Sequence, residues 1–172
     1  NTSYVDAVGR RKVQTFDAIG RLLSIVDPSS GVTTYEYDDA SNLRERVDGR
    51  GTSVMFRFDG LNREIERFDP RNIEDSRIVT EYDVSENCEA SRCANSAGRV
   101  AFRSFPAGVD FYSYDVRRRP FSKVRVIEGV TYELETRYDN ADRPIERVYP
   151  DGRSLSFAYD DASRTVAIPG VI

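Results

Sequence analysis

Apolar and polar residues alternate along most of this chain, and Gly, Pro, Asp or Asn interrupts the alternation at short intervals. Over residues 43–58, Leu43, Glu45 and Val47 fall on one side and Arg44 and Arg46 on the other. Asp48-Gly49-Arg50-Gly51 then supplies a turn, and Val54, Phe56 and Phe58 return opposite Met55 and Arg57. Residues 145–159 repeat the plan: Ile145, Arg147 and Tyr149, the turn Pro150-Asp151-Gly152, then Leu155, Phe157 and Tyr159. A period of two marks strands, and no stretch sustains the 3.6-residue spacing of a helix. The pattern therefore predicts an all-β chain of antiparallel β-hairpins.

The hairpins recur in series. An aromatic residue followed by Asp appears as Phe16-Asp17, Tyr37-Asp38, Phe58-Asp59, Tyr82-Asp83, Tyr114-Asp115, Tyr138-Asp139 and Tyr159-Asp160, at intervals of 21, 21, 24, 32, 24 and 21 residues. Two strands of about seven residues and two turns fill the shortest interval. A degenerate copy, Asp6-Ala7-Val8-Gly9-Arg10, precedes them and aligns with Asp17-Ala18-Ile19-Gly20-Arg21. Each Asp is placed to accept a hydrogen bond from the N–H two residues on. Gly20, Ser41, Asn62, Asp142 and Ser163 share one position in the unit, where small and turn-forming residues tolerate left-handed backbone. Residues 1–172 thus read as a single array of about seven repeats.

Two departures locate loops. Pro70 to Arg77 lengthens one hairpin tip, and an inserted loop at about 84–97 precedes Gly98-Arg99-Val100, where the Gly-Arg-apolar signal of Gly20-Arg21-Leu22 resumes. That inserted loop holds the chain's two cysteines, Cys88 and Cys93. The pair is too sparse for a structural zinc site, leaving a local disulfide, two free thiols or a redox pair. A disulfide would imply an oxidising, exported setting. It would close a short ring, ordering the loop rather than holding the fold.

Composition narrows the chemistry. Hydrophobic residues are 39% and charged residues 31% of the chain, which suits a thin, solvated sheet better than a wide enclosed core. With no histidine, catalytic triads and His-based metal sites are excluded, and no catalytic residue, metal site or cofactor is expected. The net charge of -4 argues against a nucleic-acid partner. No apolar run approaches the length of a membrane span. The chain opens at Asn1 and its single methionine is Met55, so it reads as a piece of a larger parent. The acidic pairs Asp38-Asp39 and Asp160-Asp161 read as turn residues rather than a general acid and base. The aromatic ladder of Tyr35, Tyr37, Phe56, Phe58, Tyr112, Tyr114, Tyr132, Tyr138, Phe157 and Tyr159 reads first as packing between hairpins. Most arginines read as rungs beside Asp and Glu, and Arg117-Arg118-Arg119 as a solvated turn.

The serial motif resembles the Rhs or YD-repeat family, named for the Tyr-Asp pair. Phe16-Asp17-Ala18-Ile19-Gly20-Arg21-Leu22, Gly31-Val32-Thr33-Thr34-Tyr35-Glu36-Tyr37-Asp38 and Tyr149-Pro150-Asp151-Gly152 carry the resemblance, which covers about residues 4 to 165. It implies a continuous sheet of β-hairpins that spirals into a hollow shell. In bacterial toxin members such a shell encloses a C-terminal toxic polypeptide, and in teneurin-like members it acts in adhesion at cell surfaces. Asp27-Pro28 and Ile168-Pro169-Gly170 are only fragments of the core segment associated with cleavage in bacterial shells, and no catalytic role is carried onto them. The expectation is a non-enzymatic shell segment, secreted or at the cell surface. Its partners would be flanking repeats and an enclosed toxin polypeptide; the alternative is an adhesion module contacting a receptor or glycan.

Overall fold

A computed structural model describes residues 2–5, 7, 9–83, 86–89 and 91–167. Asp6 and Val8 of the degenerate first copy, and Ile168-Pro169-Gly170, lie outside the described residues. Secondary structure among the described residues is strand and turn. The main sheet has 14 antiparallel strands ordered β1 to β14 along the chain, so each strand is hydrogen-bonded to its sequence neighbours. Successive hairpins give this order, because a short turn pairs each strand with the one before it.

The chain divides into two compact units, residues 1–79 and 80–172. The first holds β1 (Thr2–Val5), β2 (Arg11–Phe16), β3 (Leu22–Asp27), β4 (Gly31–Tyr37), β5 (Leu43–Val47), β6 (Ser53–Phe58) and β7 (Glu64–Phe68), and the division falls within β8 (Ile78–Tyr82). Registers such as Val13↔Val26, Thr34↔Val47 and Glu45↔Met55 keep the alternating faces aligned from hairpin to hairpin. A register shift falls at the aromatic of the Phe16, Tyr37 and Phe58 copies, where the strand gives way to the turn. Among the described residues of this unit few are buried: Ser53, Glu66 and Phe68. Glu66 is held by Arg57 at 2.8 Å and Arg77 at 2.5 Å.

The second unit holds β9 (Val100–Phe105), β10 (Gly108–Tyr114), β11 (Pro120–Ile127), β12 (Val130–Tyr138), β13 (Pro144–Val148) and β14 (Ser154–Ser156). A separate two-stranded ladder joins β15 (Ala158–Tyr159) and β16 (Thr165–Ala167). The buried apolar cluster lies here, formed by Cys93, Ala101, Phe102, Phe111 and Val124.

Candidate functional site

The unit of construction is the turn that follows each aromatic. Asp17 donates its N–H to the Arg21 carbonyl at 2.9 Å, and Gly20 donates to the Asp17 carbonyl at 3.2 Å. The Asp17 carboxylate fills the middle: Oδ1 accepts from the N–H groups of Ile19 and Arg21, and Oδ2 from Arg21 Nε at 2.6 Å. One acidic side chain thereby satisfies the donors that a tight turn leaves free. The same bonds recur at Asp59 with Arg63, Asp115 with Arg119, Asp139 with Arg143 and Asp160 with Arg164. In the Asp38 copy, Asn42 replaces the arginine and bonds both carboxylate oxygens. The residue before the arginine is left-handed throughout: φ is 88° at Gly20, 67° at Ser41, 58° at Asn62, 75° at Gly98, 64° at Arg118, 63° at Asp142 and 61° at Ser163.

These bonds hold the aspartates ionised. The Arg21 guanidinium pulls the Asp17 carboxyl below its ordinary value, while for Asp59, Asp139 and Asp160 the backbone N–H of the following arginine is the main cause. Asp27, in the turn opening Asp27-Pro28-Ser29, is brought down to about 2, chiefly by the Ser29 hydroxyl and N–H.

The arginine of each turn also reaches the next repeat. The Arg21 guanidinium lies 4.9 Å from the Tyr37 ring centroid, and its Nη1 donates to the Asp38 carbonyl and to Ser41 Oγ, both at 3.2 Å. Tyr37 returns the contact, donating its hydroxyl to the Leu22 carbonyl at 3.0 Å. The second unit repeats this exchange. Arg119 covers Tyr138 at 4.6 Å and bonds the Asp139 carbonyl and Asp142, and Tyr138 donates to the Pro120 carbonyl. Arg143 covers Tyr159 at 4.8 Å, and Tyr159 donates to the Pro144 carbonyl. Arg99 covers Tyr114 at 5.3 Å, and Tyr114 donates to the Val100 carbonyl. A planar guanidinium can bond its own aspartate edge-on and stack on the next aromatic face; a lysine cannot do both. The repeat arginines are thus links between hairpins, a role that their reading as solvated rungs missed.

The inserted loop interrupts one turn without opening it. Asp83 still donates its N–H to the Arg99 carbonyl at 2.9 Å and accepts from Gly98 N–H at 2.5 Å. Within the loop, Cys88 and Cys93 form a disulfide, and Cys93 packs into the cluster with Ala101, Phe102, Phe111 and Val124. Tyr114 donates its N–H to the Ala94 carbonyl at 2.9 Å, Asn95 Nδ2 donates to the Tyr114 carbonyl at 2.8 Å, and Ser113 Oγ donates to the Arg92 carbonyl at 2.9 Å. The loop therefore lies on the sheet as a cover over Phe102 and Phe111, whose rings meet at 5.4 Å.

Strand registers sort the rest of the second unit into two faces, because residues directly opposite in an antiparallel pair point the same way. One face carries the rows Phe102–Phe111–Val124–Glu133 and Ser113–Ser122–Glu135–Val148–Ser154, with Arg137 opposite Glu146. The other carries Arg103–Asp110–Arg125–Tyr132, Tyr112–Lys123–Leu134 and Thr136–Arg147–Leu155. The covered face thus bears three carboxylates and one arginine in these rows, and the opposite face four cations and Asp110. Asp110 is 1% exposed and meets Arg125 through both oxygens, at 2.6 and 2.7 Å, with Lys123 at 3.1 Å. Burial raises its pKa, but the bonds to Arg125 and Lys123 prevail and hold it below the ordinary carboxylate range. Tyr112 donates its hydroxyl to Asp110 at 3.1 Å, and burial, with the nearby carboxylate, pushes its own pKa up to about 12.

Among the described residues no group of three or more His, Cys, Asp and Glu side chains converges as a metal site would require, and no helix is long and apolar enough to cross a membrane. The turn carboxylates are engaged by backbone and arginine, an arrangement suited to holding strands together.

Residues 16–53 match the model of the RHS repeat family. The fold is similar to solved toxin-complex structures. One is a TcdB2-TccC3-TEV structure, with TM-score 0.72 and 16% identity over 91% of this chain and 9% of that chain. Another is a TcdB2-TccC3-Cdc42 structure, with TM-score 0.70 and 14% identity over 95% and 11% of the two chains. A third is a Photorhabdus luminescens Tc holotoxin pore, with TM-score 0.54 and 14% identity over 96% and 10%. No curated protein matches the chain. At these identities the likeness establishes the fold, and the chain spans about a tenth of the length of those structures. Residues 16–53 thus carry an RHS repeat, the turn that closes it recurs along the rest of the chain, and the fold is similar to that of the TcdB2-TccC3 structures.

Proposed function

We propose that this chain is a non-catalytic wall segment, a single repeat array within a secreted Rhs-type shell that encloses or displays another polypeptide, as in bacterial toxin delivery. The observation that carries this reading is the guanidinium link from each turn to the next aromatic, seen from Arg21 to Tyr37 and from Arg119 to Tyr138. Such links make each hairpin depend on its neighbour, which suits a wall extended by adding repeats. Flanking repeats would be its immediate partners and a toxic polypeptide its cargo.

Limited proteolysis of the full-length protein tests this. The neighbouring polypeptide should resist protease while the shell is intact and be cut once mild denaturant opens it. Cleavage at the same rate in both conditions would overturn enclosure.

Adhesion to a receptor or glycan is the second reading, favoured by Phe121 and Tyr132, which are 37% and 45% exposed. Binding of cells or glycans by the intact protein, lost on replacing those rings, would favour it.

A further inference from the structure

The uncovered face of the second unit is cationic and aromatic, and its charges are not shared evenly with the other face. Arg103, Lys123, Arg125 and Arg147 stand on it against the single carboxylate of Asp110, which is buried beneath Arg125 and Lys123. The solvent side of this face therefore presents positive charge, although the whole chain carries -4. Lys123 and Arg125 remain 39% and 43% exposed while they hold Asp110, so their heads still meet solvent. Arg147 faces the Phe157 ring at 6.0 Å and stands opposite Thr136 and Leu155, with no carboxylate across either pair.

Beside Lys123 lies a groove of about 330 Å³, walled by Tyr112, Phe121, Leu134 and Thr136, with Ser113 and Ser122 also at its lining. Its volume suits one or two large side chains. Tyr132, 45% exposed, stands beside Arg125 in the next row.

We infer that this face binds an extended acidic polypeptide, seating an apolar or aromatic side chain in the Tyr112–Leu134 groove while carboxylates meet Lys123, Arg125 and Arg147. An extended strand places alternate side chains on one side, about 7 Å apart, a spacing comparable to that between alternate residues of the sheet itself. A polypeptide fits better than a nucleic acid because a phosphate backbone needs a dense field of cations, and four on one sheet face with a carboxylate among them do not supply it. The groove likewise matches amino-acid side chains. This inference rests on the proposed enclosure or display of a polypeptide and names the chemistry of the surface that would meet it.

The test uses the purified chain and a short fluorescent peptide of alternating Glu and Phe, followed by anisotropy, with heparin and a single-stranded oligonucleotide as competitors. Saturable binding should weaken about tenfold in Arg147→Glu and in Tyr132→Glu, and should persist in Arg137→Glu on the opposite face. Circular dichroism confirms that each variant is folded, and Arg147→Gln, with a smaller loss, serves where charge reversal is not tolerated. No saturable binding, equal weakening in Arg137→Glu, or displacement by heparin or oligonucleotide at lower concentration than unlabelled peptide would each overturn the inference. Failure here leaves the protease-protection result of the full-length protein untouched, so the surface and the shell are judged separately.

Discussion

Arg119 lies 4.6 Å from the ring centroid of Tyr138 while its Nη1 bonds the carbonyl of Asp139, so one side chain from one turn holds both residues of the next aromatic-Asp pair. The same guanidinium is anchored at home by Asp115, at 2.6 Å. A lysine would keep the charge and lose the fork. Arg119→Lys should therefore lower the melting temperature by about 3 to 6 °C. Arg153→Lys, at a side chain 84% exposed and paired with Asp151 of its own turn, should change it little. Thermal denaturation of the two variants in parallel checks this, and an equal effect would remove the inter-repeat link from the explanation.

Arg118 occupies the position filled by Gly20 in the first clear copy, at φ 64° against 88°. A side chain there strains the backbone, and a Cβ built on Gly20 finds no neighbour within 4 Å, so the cost is conformational rather than steric crowding. Arg118→Gly should stabilise the chain by about 1 kcal/mol and Gly20→Ala should destabilise it by a similar amount. Urea denaturation midpoints give both signs in one experiment.

The hairpins and their turns were legible in the sequence because each is local: the alternation over 43–58, the Asp at a strand end and the small residue three positions on all lie within one unit. The link from Arg21 to Tyr37 was not, because it joins residues 16 apart and stacking leaves no mark on alternation. The recurrence of Arg four residues after Asp17, Asp59, Asp115, Asp139 and Asp160 was its visible trace. Cys93 read as part of a polar loop, and only the bonds from Ser113, Tyr114 and Asn95 bring that loop down onto Phe102 and Phe111. Asp110 looked like any strand carboxylate, since its partners Arg125 and Lys123 come from the neighbouring strand.

The two ends of the disulfide should not be equivalent. Cys93 is 8% exposed within the apolar cluster, whereas Cys88 only packs against it. Breaking the short ring costs about 2 kcal/mol in either variant by the chain-entropy account. Cys93→Ser also leaves a hydroxyl among Phe102, Phe111 and Val124, so it should lose more than Cys88→Ser. Hydrogen exchange should show the Tyr114 amide, which donates to Ala94, losing protection more in Cys93→Ser.

Asp110→Ala should be among the more damaging single changes, because it removes the buried carboxylate that joins Arg125 and Lys123. The loss is that of its charge-assisted hydrogen bonds, about 1.5 to 3 kcal/mol, because Arg125 and Lys123, 43% and 39% exposed, can turn to water. Asp110→Leu combined with Arg125→Leu should recover much of that loss, since an apolar pair of similar volume needs no ionic partner. Equal stability of the single and double variants by urea denaturation would show that the apolar pair does not replace the lost bonds.

The aspartates make stability depend on pH in a direction that follows from their bonds. Asp17, Asp59, Asp139 and Asp160 have folded pKa values below the 3.8 of a free carboxyl, and Asp27 lies at about 2. The folded chain therefore binds fewer protons than the unfolded one in this range. Their stabilisation is complete above the unfolded value and is lost as pH falls through the folded values. Urea midpoints should hold steady down to about pH 5 and fall steeply below about pH 4, with a shallower fall in Asp139→Asn. Tyr112 acts at the other end with the opposite sign. Its folded pKa of about 12 exceeds the free value of 10.0, so the folded chain keeps a proton that the unfolded chain releases. Its contribution is full below pH 10 and is lost as pH rises toward 12. Tyrosinate absorbance should show a late-titrating phenol that Tyr112→Phe removes. Persistence of that late component in the variant would assign it to Tyr114 or Tyr138, whose pKa values burial also raises.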